Sequence, residues 1–252
     1  MNGFRSPGAD GEAGADAANM SLVDHLVELR TRMLRALAGV LLVFLALSPF
    51  ANQLYTTLAM PMLAELGGGS MIATEVAAPF LVPFKLTLFV AVAASAPWLF
   101  YQIWLFVAPG LYLHERRLVG PLIASSTLLF YLGMAFAYFL VFPLVFAFFT
   151  SVAPEGVTVM TDISRYLDFV MKIFLAFGLA FEVPIATFVV VRSGLISASA
   201  LATKRPYIIV AAFVLGMLLT PPDVVSQLLL AVPMWVLFEV GLLLARLLPG
   251  TR

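Results

Sequence analysis

Four glutamates in this chain stand where a carboxylate has either a task or a cost. Glu28 lies in Ser21-Leu22-Val23-Asp24-His25-Leu26-Val27-Glu28-Leu29-Arg30, a segment opened by a capping-box-like Ser21/Asp24 pair. At 100° per residue, Leu22, Leu26, Leu29 and Met33 share an apolar stripe, His25, Glu28 and Arg32 share a polar flank, and Arg30 projects elsewhere. The segment reads as an amphipathic helix, in which the plainest role of Glu28 is an i,i+4 pair with Arg32 worth a few tenths of a kcal/mol. Glu115 sits in Phe106-Val107-Ala108-Pro109-Gly110-Leu111-Tyr112-Leu113-His114-Glu115-Arg116-Arg117, where Pro109-Gly110 makes a turn. Interfacial anchoring accounts for Tyr112, Arg116 and Arg117 and leaves Glu115 without a reason. Glu182 interrupts an apolar run at Phe181-Glu182-Val183-Pro184. An acid at a membrane centre costs about 2.5–3.5 kcal/mol on insertion scales and is functional by default. The competing reading is a protonated Glu182 bonded only to carbonyls that Pro184 frees. Glu239 invites the same reasoning, but it lies nearer the end of its run, within reach of headgroups.

These groups do not assemble an enzyme. There is no G-x-x-x-x-G-K-[ST] phosphate cradle and no H-E-x-x-H zinc site. Ser125 and Ser126 have no base nearby in the sequence, since the histidines, His25 and His114, fall at a membrane boundary. With no cysteine, disulfides and thiolate metal sites are excluded. No enzyme activity, cofactor or metal is expected, and a net charge of zero offers no basic face to nucleic acid.

The elements that must position these residues are membrane helices. The chain is 62% hydrophobic and 11% charged, against about 25% charged in soluble domains. About 20 apolar residues make one span, and an unpaired backbone cannot cross hydrocarbon. Apolar runs, four of them free of charge and two holding one acid each (Glu182 and Glu239), place six helices at about 33–52, 84–107, 118–150, 166–192, 205–219 and 224–246. The third is oversized and has a kink site at Pro143; the fifth, stopping at Thr220-Pro221-Pro222-Asp223, is too short for a full-thickness core. If the N-terminus is cytoplasmic, eleven of the fourteen basic residues fall inside, leaving Lys85, Arg165 and Lys172 outside. Both termini are therefore expected in the cytoplasm. Residues 1–19 read as a disordered cytoplasmic lead rather than a cleaved signal peptide, 20–250 as the six-helix membrane domain, and Gly67-Gly68-Gly69 as a flexible external turn.

Several stretches, in order, resemble the TatC family: HLVELRTR at 25–32, MIATEVAAPF at 71–80, FVAPGLYLHERR at 106–117, GMAFAYFLVFP at 133–143, FGLAFEVP at 177–184 and KRPYIIV…GMLLTPPDVVSQ at 204–227. The resemblance covers residues 21 to about 245. It implies an all-α, glove-like bundle of six transmembrane helices in a bacterial inner membrane, the core receptor subunit of a twin-arginine translocase. Such a subunit binds the Arg-Arg motif of signal peptides on folded proteins and, with the single-span partners TatA and TatB, moves them across using the proton motive force. It also implies a multimeric receptor complex of the TatB–TatC type. Carried over by position, Glu28, Arg30, Phe106, Leu111, Tyr112, Glu115, Arg116 and Arg117 would bind the signal peptide. Glu182 would be the polar site on the concave face, Met217, Thr220 and Gln227 the contact for TatA and TatB, and Pro61 and Asp223 functional positions of the external loops. Leu113 departs from the pattern, since relatives often carry a polar or basic residue there. Guanidinium matches carboxylate bidentately and ammonium does not, so two rim carboxylates fit a demand for two arginines. A proton-coupled small-molecule transporter with Glu182 as carrier is the alternative; it requires a polar-lined midplane pocket. An intramembrane hydrolase requires a buried base that the sequence does not supply.

Overall fold

The computed structural model describes residues 9–65, 71–107, 119–151, 161–219 and 224–247, with the side chains of 23–58, 71–107, 119–148, 151, 161–218, 224 and 227–247. Every regular element among them is helical. Helix α1 (Ala9–Leu47) reaches back through part of the stretch whose composition suggests a disordered lead; alanine, abundant there, is the best helix former. A 3₁₀ turn at Ser48–Phe50, with Pro49 in its first turn, joins α1 to α2 (Ala51–Glu65). The first span is thereby part of a continuous 36-residue helical segment from Val23 to Leu58, whose first turns carry Asp24, Glu28, Arg30, Arg32 and Arg35. At 1.5 Å per residue the segment reaches about 54 Å, well beyond a hydrocarbon core of about 30 Å.

The second span is broken. Helices α3 (Ala78–Ala94) and α4 (Ala96–Val107) meet at Ser95 with a bend of 52°. Pro97 explains the position, because it has no N–H to continue the ladder to Ala93. The third span departs from regularity where expected but in a different form. Between α5 (Val119–Phe136) and α6 (Phe142–Ser151), residues Ala137–Val141 form a π turn just ahead of Pro143. A wider turn absorbs the missing hydrogen bond, as π bulges do. The fourth span is α7 (Ile163–Ala180) and α8 (Val183–Arg192), interrupted at Phe181-Glu182 before Pro184. After the short α9 (Ala198–Ala202), α10 (Arg205–Leu219) supplies the undersized fifth span of 15 residues, and α11 (Val224–Leu247) the sixth.

Span four is the hub. Val170, Ile173 and Phe177 are fully buried, and an aromatic cluster of Phe142, Phe146, Tyr166, Phe174 and Phe181 locks it to span three. Backbones approach closely at glycine, as membrane helices use small residues to do: Gly133 of α5 sits on the Phe177 carbonyl, and Gly241 of α11 on Pro184. In contrast Leu37, Leu42 and Leu45 of α1 and Tyr207, Val210 and Leu218 of α10 are exposed. In water such a surface would be an aggregation liability; in a bilayer it is the solvent-facing side.

The face opposite the termini is clasped by one carboxylate. Asp162 caps α7, accepting from the backbone N–H groups of Ser164 (2.9 Å) and Arg165 (3.0 Å) through Oδ1. Its Oδ2 accepts from the hydroxyl (2.7 Å) and N–H (3.0 Å) of Thr74. A parallel bridge, Ile72 to Asp162, ties the same two segments. The Thr74 hydroxyl first, then the backbone donors, hold the Asp162 carboxyl down from 3.8 to about 2. The lowered value means that the clasp contributes fully above pH 3.8 and is lost as pH falls through about 2. Asp162→Ala is therefore expected to lower the melting temperature in detergent at pH 7, with the difference from wild type shrinking below pH 4 and vanishing near pH 2. A difference that does not change with pH would contradict an ionised clasp.

Candidate functional site

At the end of the bundle that carries the termini, the polar flank of α1 faces the protein and its apolar stripe faces out. Leu26 and Met33 are exposed, whereas Glu28 and Arg32 are half-buried. The His25 ring stacks on Phe106 at a centroid distance of 4.4 Å, which pins α1 to the last turn of α4. Further along, the Trp98 indole donates to the Arg35 carbonyl (3.0 Å), and its ring packs against Gly39. The ion pair suggested by spacing forms: the Arg32 Nε donates to Glu28 Oε1 at 2.9 Å, and a terminal guanidinium nitrogen bonds the same oxygen. Glu28 Oε2 takes neither of these bonds. Arg30 is exposed on another side of α1. Phe106 lies one residue before the end of α4, so the second-to-third loop leaves from beside this patch. Leu111, Tyr112, Glu115, Arg116 and Arg117 of that loop lie outside the described residues, as do Leu113 and His114.

Glu182 stands at the break between α7 and α8, where its own N–H bonds Leu179 and its carbonyl accepts from Ala186. Its carboxyl does not bond the carbonyl freed by Pro184; Oε1 is buried without a hydrogen-bond partner among the described residues. Ser126 of α5 stands close to the carboxyl. Ser126 is fully buried and already accepts the Trp104 indole N–H at 3.0 Å. The Trp104–Ser126 bond thus runs beside the Glu182 carboxyl and brings residues of spans two, three and four together. Trp104 and Ser126 escaped the sequence reading because their spacing to Glu182 is tertiary; a buried indole whose N–H requires a partner was the available signal. Glu182→Gln keeps a hydrogen-bonding group at this point and Glu182→Leu does not. Transport by the Gln variant is expected to stay within about tenfold of wild type, and the Leu variant to fall further, on the cost of orphaning a buried donor. Equal transport by the two would make the carboxyl dispensable.

The remaining glutamate is accounted for. Glu239 of α11 receives Arg205, at the start of α10, in a two-pronged pair whose longer arm is 2.8 Å. This fork fixes the short fifth span to the sixth at the end nearer the termini. At the other end Gly216 of α10 stands over Gln227, 3.6 Å from its carbonyl oxygen to a hypothetical Cβ. Met217 is exposed beside it and Gln227 is half-buried. Met217 and Gln227 thus share one corner, while Thr220 and Asp223 lie outside the described residues. Pro61 falls in α2, and its side chain is likewise outside them. Two cavities within the described spans, about 320 Å³ at Pro184 and about 380 Å³ at Pro233, are lined by apolar residues apart from Ser125. Neither is the polar midplane pocket that a small-molecule carrier requires.

A family model described as Sec-independent protein translocase protein (TatC) matches residues 24–233. The Sec-independent protein translocase protein TatC of Azotobacter chroococcum is 58% identical over 224 residues, 88% of each chain. That of Haemophilus influenzae is 59% identical over 226 residues, 89% of this chain and 88% of the relative. A crystal structure of the twin arginine translocase receptor TatC superposes with a TM-score of 0.80 at 36% identity, covering 88% of this chain and 98% of the other.

Proposed function

This chain belongs to the TatC family of Sec-independent protein translocase proteins, multi-pass membrane proteins, and from that membership we propose that it is the signal-reading core subunit of a twin-arginine translocase. The single observation that carries the site assignment is the stack of His25 on Phe106. It sets the Glu28 flank of α1 against the point where the loop bearing Glu115 leaves α4. Two carboxylates gathered there would hold the two guanidinium groups of the signal through charge-assisted hydrogen bonds, Glu28 through its Oε2. Arg30, Leu111, Tyr112, Arg116 and Arg117 would shape the surrounding surface, and Phe106 would pack on the apolar residues that flank the motif.

The basic residues favour an orientation with both termini in the cytoplasm of a bacterium, so the Glu28 patch would meet signal peptides before export. At the opposite face, the 15-residue α10 spans roughly 23 Å at 1.5 Å per residue. Its outer end then lies below normal headgroup depth, where unpaired polar groups are costly. Single-span partners of the TatA and TatB type would cover that corner through Met217, Thr220 and Gln227, within a multimeric receptor complex. Pro61, which lies in α2 rather than in a loop, and Asp223 would act at the external face. No step in this reading makes or breaks a covalent bond; the proton motive force would supply the work.

A photo-crosslinker at Phe106 tests this division of labour. It is expected to capture an Arg-Arg signal peptide and to lose it to excess unlabelled peptide. Gln227→Leu should leave that capture intact while weakening disulfide capture of a partner helix by a cysteine at Met217. Loss of peptide capture with unchanged partner capture would show the two sites to be wrongly assigned.

A further inference from the structure

On the membrane face opposite the termini, a cleft of about 530 Å³ opens between α1, α3 and α7. Three charged groups stand around it: Glu75 ahead of α3, Lys85 on α3 and Asp168 on α7, with the Ser164 hydroxyl beside them. Lys85 and Asp168 form an ion pair across the two helices through Oδ1, and both remain about half exposed. Lys85 opens the long uncharged run of span two, and Asp168 lies in the first turns of span four. The charges therefore sit where water gives way to hydrocarbon. On the same exposed face of α3, Leu81 lies a turn above Lys85, Phe84 beside it and Leu88 a turn below, with Phe44 of α1 closing the other wall. Lys172, the next cation on α7, is not part of the lining.

We infer that this cleft is a binding site for a phospholipid whose headgroup carries both a phosphate and an ammonium, held in the leaflet opposite the termini. The charge pattern selects that chemistry. Two acids surround one base, so a purely anionic headgroup meets an excess of negative charge. A zwitterion instead places its phosphate on the Lys85 ammonium, which has three donors, and its own ammonium on Glu75 and the free Oδ2 of Asp168. The exposed row on α3 then receives an acyl chain, and burying it removes apolar surface from the mobile lipid boundary. A fixed lipid here would seal the seam between spans one, two and four beside the Asp162 clasp. The site is independent of signal-peptide reading and stands whether or not that reading holds.

The experiment is native mass spectrometry of the full chain, delipidated in mild detergent and given equal amounts of phosphatidylethanolamine and phosphatidylglycerol. Exposed ion pairs are individually weak, so wild type is expected to retain the ethanolamine lipid about three- to tenfold over the glycerol lipid. The double change Glu75→Gln with Asp168→Asn leaves Lys85 alone and should invert that preference. Leu88→Trp fills the chain track without altering charge and should reduce retention of both lipids, with melting temperature unchanged. Equal retention of the two lipids by wild type, or an unchanged preference in the double variant, overturns the site and leaves the ion pair as a clasp between α3 and α7.

Discussion

Gly133→Val is expected to abolish the folded state in membranes, while Gly120→Val, thirteen residues earlier on the same helix, leaves it nearly intact. A Cβ at Gly133 would lie 2.9 Å from the Phe177 carbonyl carbon and nearer still to its oxygen. That obstacle is backbone in the last turn of α7, the most enclosed helix, and it cannot swing away as a side chain would. Overpacking a core costs about 1–3 kcal/mol when side chains can yield, and more when they cannot. Spans three and four would have to separate, undoing the aromatic cluster around Phe174 and Phe177. At Gly120 a Cβ meets nothing within 4 Å, so the same substitution there controls for helix propensity. The readout is the fraction of monodisperse protein after extraction and its melting temperature. A Gly133→Val protein with wild-type melting would mean that α5 and α7 do not meet as described.

The six spans were legible because charge is expensive in hydrocarbon: each long run with at most one Lys, Arg, Asp or Glu had to be a helix. The short fifth helix and the irregularity near Pro143 followed from length and from one missing N–H. What stayed hidden was tertiary. Glu239 could be seen as an intramembrane acid, but its partner Arg205 lies 34 residues away in sequence, and only the packing of α10 on α11 joins them. The break at Ser95 had a signal in Pro97 that a charge-based reading of spans passes over. On α1 the periodicity gave the right two faces, yet which one packs is set by the solvent: with lipid outside, the leucines point out and the His25–Glu28–Arg32 flank turns to the protein. The Trp104–Ser126–Glu182 grouping required three spans to be placed before it existed at all. Leu111, Tyr112, Glu115, Arg116 and Arg117 rest on the sequence alone.

The second large effect is expected at Glu28 and Glu115. Removing a hydrogen bond to a charged group costs about 1.5–3 kcal/mol, or roughly 10- to 100-fold in affinity at 1.4 kcal/mol per decade. Glu28 is the more complicated of the two because Arg32 already occupies its Oε1. Glu28→Gln removes an acceptor and also releases a guanidinium of the same sign as the ligand, so its penalty should exceed that of one lost bond. Arg32→Gln separates the two roles of Glu28. If Glu28 serves only to hold Arg32, both substitutions damage binding alike. If Glu28 reads a signal arginine, Arg32→Gln frees its carboxylate, and binding stays level or tightens.

The most direct test is a titration of purified full-length protein with an Arg-Arg signal peptide and its Lys-Lys counterpart, in wild type, Glu28→Gln, Glu115→Gln and Arg32→Gln. Wild type is expected to prefer the Arg-Arg peptide, each glutamate substitution to weaken it by roughly 10- to 100-fold and narrow the preference, and Arg32→Gln to bind at least as well as wild type. Equal binding of the two peptides by wild type, or loss of binding in Arg32→Gln equal to that in Glu28→Gln, would contradict the assignment of these carboxylates as the readers of the signal.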